Sequence, residues 1–224
     1  MPNILAIETS FPAASIALQL GEAPVIQKDF ESHRQQNQLL FPPLQQLLEQ
    51  LPDNQSLDLI IVGTGPGSYS GSRISIAAAQ GIATVHACPV VGQSSFLATD
   101  TWLQSQDSLV VGDARRGAFF ATHIPAGKLP PEPQLHERPA FDAIVASCQS
   151  PIFTLDAQMS LTEDQSLIFE SPTAEKHILA WRTLSPEDQS QQKLTPPSPT
   201  YLRAPFITKA KPGHPLLRGK VKGQ

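Results

Sequence analysis

The chain is 224 residues long, 40% apolar and formally −4 in charge, which suits one or two compact units and demands no strongly charged partner. No run approaches 18 apolar residues, which excludes a membrane-spanning helix, and Cys88 and Cys148 stand alone, which excludes a CxxC metal or redox site. The opening MPNILAIETSF has no basic leader and is interrupted by Glu8, so no signal peptide is expected and the reading is a soluble, cytoplasmic protein.

In chain order, NILAIETS (3–10), ASIALQL (14–20) and PVIQKDF (24–30) read as three strands with tight connections, an antiparallel meander. HRQQNQLLFPPLQQLLEQL (33–51) carries Leu40, Leu44, Leu47, Leu48 and Leu51 at three- and four-residue spacing, one face of a helix. Pro42 and Pro43 lack backbone donors and predict a kink or a fresh start there. LDLIIVG (57–63) is a continuously apolar strand, the kind covered on both faces. After a glycine-rich turn, GSRISIAAAQGIATVHA (71–87) reads as a helix of small residues. PVVG (89–92) follows as a strand and SSFLATDTWLQSQ (94–106) as a helix. SLVVGDARRGAFFATHI (108–124) gives two strands joined at GDARRG. FDAIVASC reads as a helix, PIFTLDA as a strand and TAEKHILAWRTL (173–184) as a helix, before a Pro/Ser-rich close. The order is α/β with a meander at its start. Two units meet near residue 105, and 14 of the 22 prolines fall after residue 120, in the loopier half.

Residues 193–224 hold seven Lys/Arg and no acid, leaving nine basic against twenty acidic side chains in the remainder, a net of −11. Such a tail can touch nucleic-acid phosphates or an acidic partner, or it can simply be solvated.

The turn GTGPGSYSGSR (63–73) leaves a buried strand and enters a helix, the arrangement that presents backbone N–H groups to an anion. The known fingerprints fail on it. A P-loop needs a lysine, and none is present. A G-x-G-x-x-G beginning at Gly65 meets Ser70 where its third glycine belongs. The alternative is structural: Gly65-Pro66-Gly67 makes a tight turn, and the stripe Ala77, Ala78, Ala79, Gly81 and Ala83 lets another backbone approach, as core or as a dimer seam.

Taken together, ILAIETS…ASIAL, HRQQNQLLFPPLQQLL, IIVGTGPGSYSGSRISIAAAQGIA, PVVGQSSF and LVVGDARRGAFFATHI resemble the TsaB (YeaZ) family in order over residues 3–124, and PTYLRAP (199–205) resembles its closing segment. The stretch from Gly65 to Arg73 is the most specific part; residues 125–198 match weakly. The family is the non-catalytic subunit of the bacterial machinery that makes N6-threonylcarbamoyladenosine beside the tRNA anticodon. The resemblance implies an actin/Hsp70/sugar-kinase-like fold of two RNase H-like lobes: a first lobe over 1–105, a reduced second lobe over 106–208, and a basic tail over 209–224. It also implies pairing with the catalytic paralogue TsaD, a further ATPase subunit TsaE, and self-pairing when alone. Pairing would run through the first-lobe helices, with Leu40, Leu44, Leu47, Arg73, Ala77, Ala78 and Gly81 as candidate interface residues.

The catalytic paralogue holds its metal through H-x-x-x-H after the strand equivalent to PVVG. Here Ser95 and Thr99 stand at those positions, and the histidines at 33, 86, 123, 136, 177 and 214 show no such spacing. No metal site and no catalytic residue are expected. Candidate nucleotide contacts are Glu8, Thr9, Gly65, Gly67 and Asp113, with Glu8 and Asp113 either facing one cleft around Mg-nucleotide or capping turns. No cofactor is expected to bind tightly to this chain alone, though ATP or ADP with Mg fits the junction with a partner. Arg73 in a helix's first turn opposes the helix dipole, so it should hold loop carbonyls or a partner. His33 is read as structural or interfacial. The competing function is a small nucleotide-dependent enzyme of the same superfamily acting alone.

Overall fold

The structure, a computed structural model, describes residues 1–31, 36–161 and 166–203. The tail 209–224 and His33 lie outside the described residues.

The meander forms as expected. Strands β1 (Ile4–Glu8), β2 (Ala13–Gln19) and β3 (Ile26–Glu31) pair antiparallel, and β4 (Leu59–Gly63) and β5 (Val90–Gln93) add in parallel, giving the order β3-β2-β1-β4-β5. Every residue of β1 and β4 is buried because both faces of the sheet are covered. Leu5, Ile7, Ile60 and Val62 pack under helices α1 (Gln36–Leu48) and α2 (Tyr69–His86). Ile4, Ala6, Leu59 and Ile61 face the other way, onto Ala174, Ile178 and Trp181 of helix α5 (Ala174–Thr183). The period-two alternation of a strand assigns each residue to one helix layer or the other.

The second sheet repeats the plan, with β6 (Ser108–Asp113), β7 (Ala118–Ile124) and β8 (Gln134–Glu137) antiparallel, and β9 (Ile152–Thr154) and β10 (Leu167–Phe169) added in parallel, in the order β10-β9-β6-β7-β8. Helix α4 (Arg138–Ser147) covers one face through Phe141 and Val145. The opposite face, with Val110, Phe120 and Phe153, joins the α5 side of the first sheet in one continuous core.

Helix α5 amends the lobe boundaries expected from sequence. It falls within 106–208, yet it packs chiefly on β1, β2 and β4 of the first sheet. Its N-terminus is tied there by Ala174 N–H donating to Ser15 Oγ at 2.8 Å.

Three local expectations change. Helix α1 runs unbroken through Pro42 and Pro43, because Leu40, Leu44 and Leu47 are anchored in one core on either side of them. The helix expected over 94–106 shrinks to α3 (Asp100–Leu103). The Glu170 carboxylate accepts from Asp100 N and Thr101 N at 2.6 and 2.7 Å and defines the start of α3, while Phe96, Leu97 and Ala98 are buried in a turn before it. Helix α6 (Pro186–Leu194) was not expected, although Ser185 caps it by accepting from Asp188 N and Pro186 occupies a first-turn position. Among the described residues no helix is long and apolar enough to cross a membrane.

Candidate functional site

Glycines at 63, 67 and 71 explain the turn after β4. A Cβ on Gly63 would lie 2.1 Å from Glu8 Oε2, one on Gly67 2.2 Å from the Ser10 carbonyl oxygen, and one on Gly71 2.0 Å from the Thr9 carbonyl oxygen. The loop is glycine-rich because it lies directly on the β1–β2 connection. Gly65 adds a positive φ of 85° that other residues adopt only under strain.

Three of the loop's donors are spent inside the chain. Gly65 N donates to Ser95 Oγ at 3.1 Å, Ser68 N to the Ser10 carbonyl at 2.6 Å, and Gly71 N to Ser68 Oγ at 3.1 Å. Thr9, a candidate nucleotide contact, is buried and donates its hydroxyl to the Gly71 carbonyl at 2.9 Å. A loop that binds phosphate must keep its N–H groups pointed outward. This one uses three of them to hold itself to β1 and to start α2, and Gly65 is itself buried.

Glu8 is the centre of the arrangement and is fully buried. Its Oε1 accepts from Ser10 N at 2.6 Å, and its Oε2 accepts from Ser95 Oγ at 2.6 Å and from His177 Nε2 at 2.9 Å. The other ring nitrogen, Nδ1, lies 2.5 Å from Gln93 Oε1, so both nitrogens face acceptors. Burial pushes the Glu8 carboxyl upward, but the hydrogen bond and charge of His177, with the Ser95 hydroxyl and Ser10 N–H, outweigh it and hold the group below its usual 4.5. Of the two readings of Glu8, the cleft-facing one is corrected, because its carboxylate does not line the cleft, and the turn-capping one fits its bond to Ser10 N, two residues on.

Ser95, Glu8 and His177 do not form a nucleophilic triad. The carboxylate stands between serine and imidazole, so the imidazole does not touch the hydroxyl, and all three side chains are closed to solvent. Thr99, the other position matching the paralogue's histidines, caps α3 by accepting from Trp102 N. Among the described residues no group of three or more His, Cys, Asp or Glu is placed to hold a metal ion.

Between the two sheets lies a cleft of about 750 Å³, walled by Phe11, Phe96, Phe120 and Phe169, with Asp113 and Asp156 among its polar lining. Asp113 therefore does face the cleft, and Gly67 lines it as well; Glu8 and Gly65 do not. Asp113 Oδ1 accepts from Arg115 N at 2.6 Å and its Oδ2 lies 3.5 Å from Arg115 Nη1, so it also caps the β6–β7 turn. In that turn Arg115 and Arg116 both adopt positive φ, 65° and 54°.

The candidate interface residues separate into two groups. Leu40, Leu44 and Leu47 are buried in the chain's own core, which corrects their assignment to a partner surface. On α2, Arg73, Ala77 and Gly81 are exposed at four-residue spacing, and Val85 extends the stripe at 81% exposure. A Cβ on Gly81 would meet nothing within 4 Å. Ala78 is half-buried against the core beside this stripe.

Arg73 is exposed and bonds to a tyrosine of its own helix, not to loop carbonyls. Its Nη1 donates to Tyr69 Oη at 2.6 Å, and its guanidinium lies 5.1 Å from the centre of the same ring. Tyr69 stacks on Tyr201 with centroids 5.1 Å apart. The closing segment is also held to the residue after β4, Thr200 N donating to the Thr64 carbonyl at 2.8 Å. The stretch most specific to the family resemblance and the closing segment thus meet on one wall of the cleft. Sequence reasoning missed Tyr69, Tyr201, Gln93 and His177. The Tyr69–Arg73 spacing of four is a local signal; nothing local marks His177.

Comparison with known proteins bears on this arrangement. The family model described as "TsaD: tRNA N6-adenosine threonylcarbamoyltransferase" matches residues 30–126. The tRNA threonylcarbamoyladenosine biosynthesis protein TsaB of Escherichia coli (strain K12) is 32% identical over 124 residues, 53% of this chain and 53% of that protein. The chain thus spans about half the length of the curated relative it matches. Among solved structures, YeaZ from Pseudomonas aeruginosa superposes with a TM-score of 0.61 at 23% identity, covering 80% of this chain and 90% of that one. A protein described as similar to peptidase YEAZ from Pseudomonas aeruginosa reaches 0.66 at 21% identity, covering 91% of this chain and all of that one. These two solved structures share the fold.

Proposed function

We propose that this chain is a TsaB-family protein and a non-catalytic subunit in the formation of N6-threonylcarbamoyladenosine in tRNA, a reading supported by its 32% identity to TsaB of Escherichia coli over 53% of each chain. It pairs with the catalytic paralogue TsaD through the exposed face of α2, and TsaE joins the assembly. Alone, the same face pairs two copies. tRNA is reached through the partner or through the basic tail, in the cytoplasm.

The observation that carries this reading is a contrast between inside and outside. The groups that resemble catalytic apparatus (Glu8, Ser95, His177) are turned inward and bonded to one another. The stripe Arg73, Ala77, Gly81 and Val85 is turned outward, and the small residues Ala77 and Gly81 at its middle let a second backbone approach. Any ATP or ADP with Mg then belongs at the junction with the partner and not to this chain alone, a reading supported by the commitment of the Gly65, Ser68 and Gly71 N–H groups within the chain.

The test is threonylcarbamoyl transfer to unmodified tRNA in a reconstituted mixture, with this chain present, absent or alone. Product that requires both this chain and the catalytic paralogue, with the chain alone inert, supports the reading. Full activity without the chain overturns it and favours a nucleotide enzyme acting alone through the cleft that Asp113 lines.

A further inference from the structure

His177 comes from the second half of the chain, yet it reaches the underside of the glycine loop. Its Nε2 donates to Glu8 Oε2, which also accepts from Ser95 Oγ, which in turn accepts from Gly65 N. The second Glu8 oxygen accepts from Ser10 N. Ser10 then holds the far end of the loop: its carbonyl accepts from Ser68 N, and its hydroxyl lies 3.1 Å from Ser72 Oγ. Both arms of the carboxylate therefore end on the segment that starts α2, one before Pro66 and one at the helix cap Ser68.

We propose that the Glu8–His177 pair is a lock that positions the 63–71 loop and, through it, the first turn of α2, so that the Arg73, Ala77 and Gly81 face is presented in one orientation. This rests on the reading of α2 as the pairing face. The chemistry requires a carboxylate. It accepts from three donors in three directions, whereas a glutamine amide offers one acceptor oxygen and turns its NH₂ toward a donor. Glu8, Ser95, Gln93 and His177 are each fully buried, so no bulk water is at hand to replace a lost partner. His177 is a positioning residue: it acts on the loop through Glu8 and touches no reacting group.

The experiment is site-resolved hydrogen exchange on the full chain, alongside pairing with the catalytic paralogue by sedimentation. The variants are His177→Gln, Glu8→Gln and Ser95→Ala, with Ala77→Arg as the surface control. Ser95→Ala leaves the Glu8–His177 pair in place and removes only its link to Gly65, so it remains informative where the other two fail to fold. The lock requires exchange at Gly65, Ser68, Gly71 and Ser72 to accelerate at least tenfold while β6 and β7 keep their protection, and pairing to weaken at least tenfold. Unchanged loop exchange in Ser95→Ala, or acceleration spread evenly over both sheets, overturns the lock. Faster loop exchange with unchanged pairing overturns its reach to α2. Should Ala77→Arg leave pairing intact, the pairing reading has failed instead, and loop exchange alone decides the lock.

Discussion

His177 Nε2 and Glu8 Oε2 lie 2.9 Å apart across 169 positions of sequence, and neither side chain is exposed. A helix from the second half of the chain is thereby fastened to the first strand of the first sheet.

Breaking that contact from one side should be severe. His177→Leu leaves a buried carboxylate without its charge partner, a change that typically costs about 3–5 kcal/mol. Urea unfolding should show the midpoint falling accordingly; a loss below about 1 kcal/mol would mean that Glu8 is solvated or neutral in the folded state.

The pair also sets a pH dependence. Glu8 is held below its usual 4.5 when folded, so its contribution is fully present above the unfolded value and is lost as pH falls through the folded one. The wild type should therefore lose stability below about pH 4.5 more steeply than Glu8→Gln. Parallel acid limbs in the two proteins would contradict the assignment.

Gly71→Ala and Gly81→Ala should move stability in opposite directions. At position 71 the new methyl falls 2.0 Å from the Thr9 carbonyl oxygen, which is backbone and cannot turn aside, so a loss of about 1–3 kcal/mol or more is expected. At position 81 it meets nothing, and a helix interior favours alanine by about 1 kcal/mol. Thermal melts of the two variants compare them directly.

Gly81→Arg places a long cation on the open stripe of α2 without touching the core. Association measured by light scattering should be lost while circular dichroism stays unchanged. Retained association would move the pairing face elsewhere on the molecule.

Mg-ATP titrated into the chain alone should give no saturable heat in calorimetry, because Gly65, Ser68 and Gly71 have no N–H left to offer and Glu8 is beneath the cleft floor. Saturable binding would place the nucleotide on Asp113 and the β6–β7 turn, the part of the candidate set that does face the cleft.

Much of the architecture is local and could be read from order alone. The Ile- and Leu-rich runs of β1 and β2 with their tight connections, the unbroken apolar run of β4 and the glycines after it mark a meander, a covered central strand and a tight turn. Strand period depends on neighbouring residues, so sequence suffices for it, whereas the steric room at Gly63, Gly67 and Gly71 is set by Glu8, Ser10 and Thr9 at the distant β1–β2 connection. Fates that depend on distant partners were decided only by tertiary packing. The stripe Leu40, Leu44 and Leu47 is apolar whether its own sheet or a second protein covers it, and here its own sheet does. A carboxylate at the end of β1 can face a ligand or a buried histidine, and the histidine that takes it lies in a helix whose own sequence shows no sign of the contact. Glu170 and Asp100, 70 residues apart, likewise determine where α3 begins. Helix and strand periods report which side of an element is apolar, but what covers that side is a property of the folded chain.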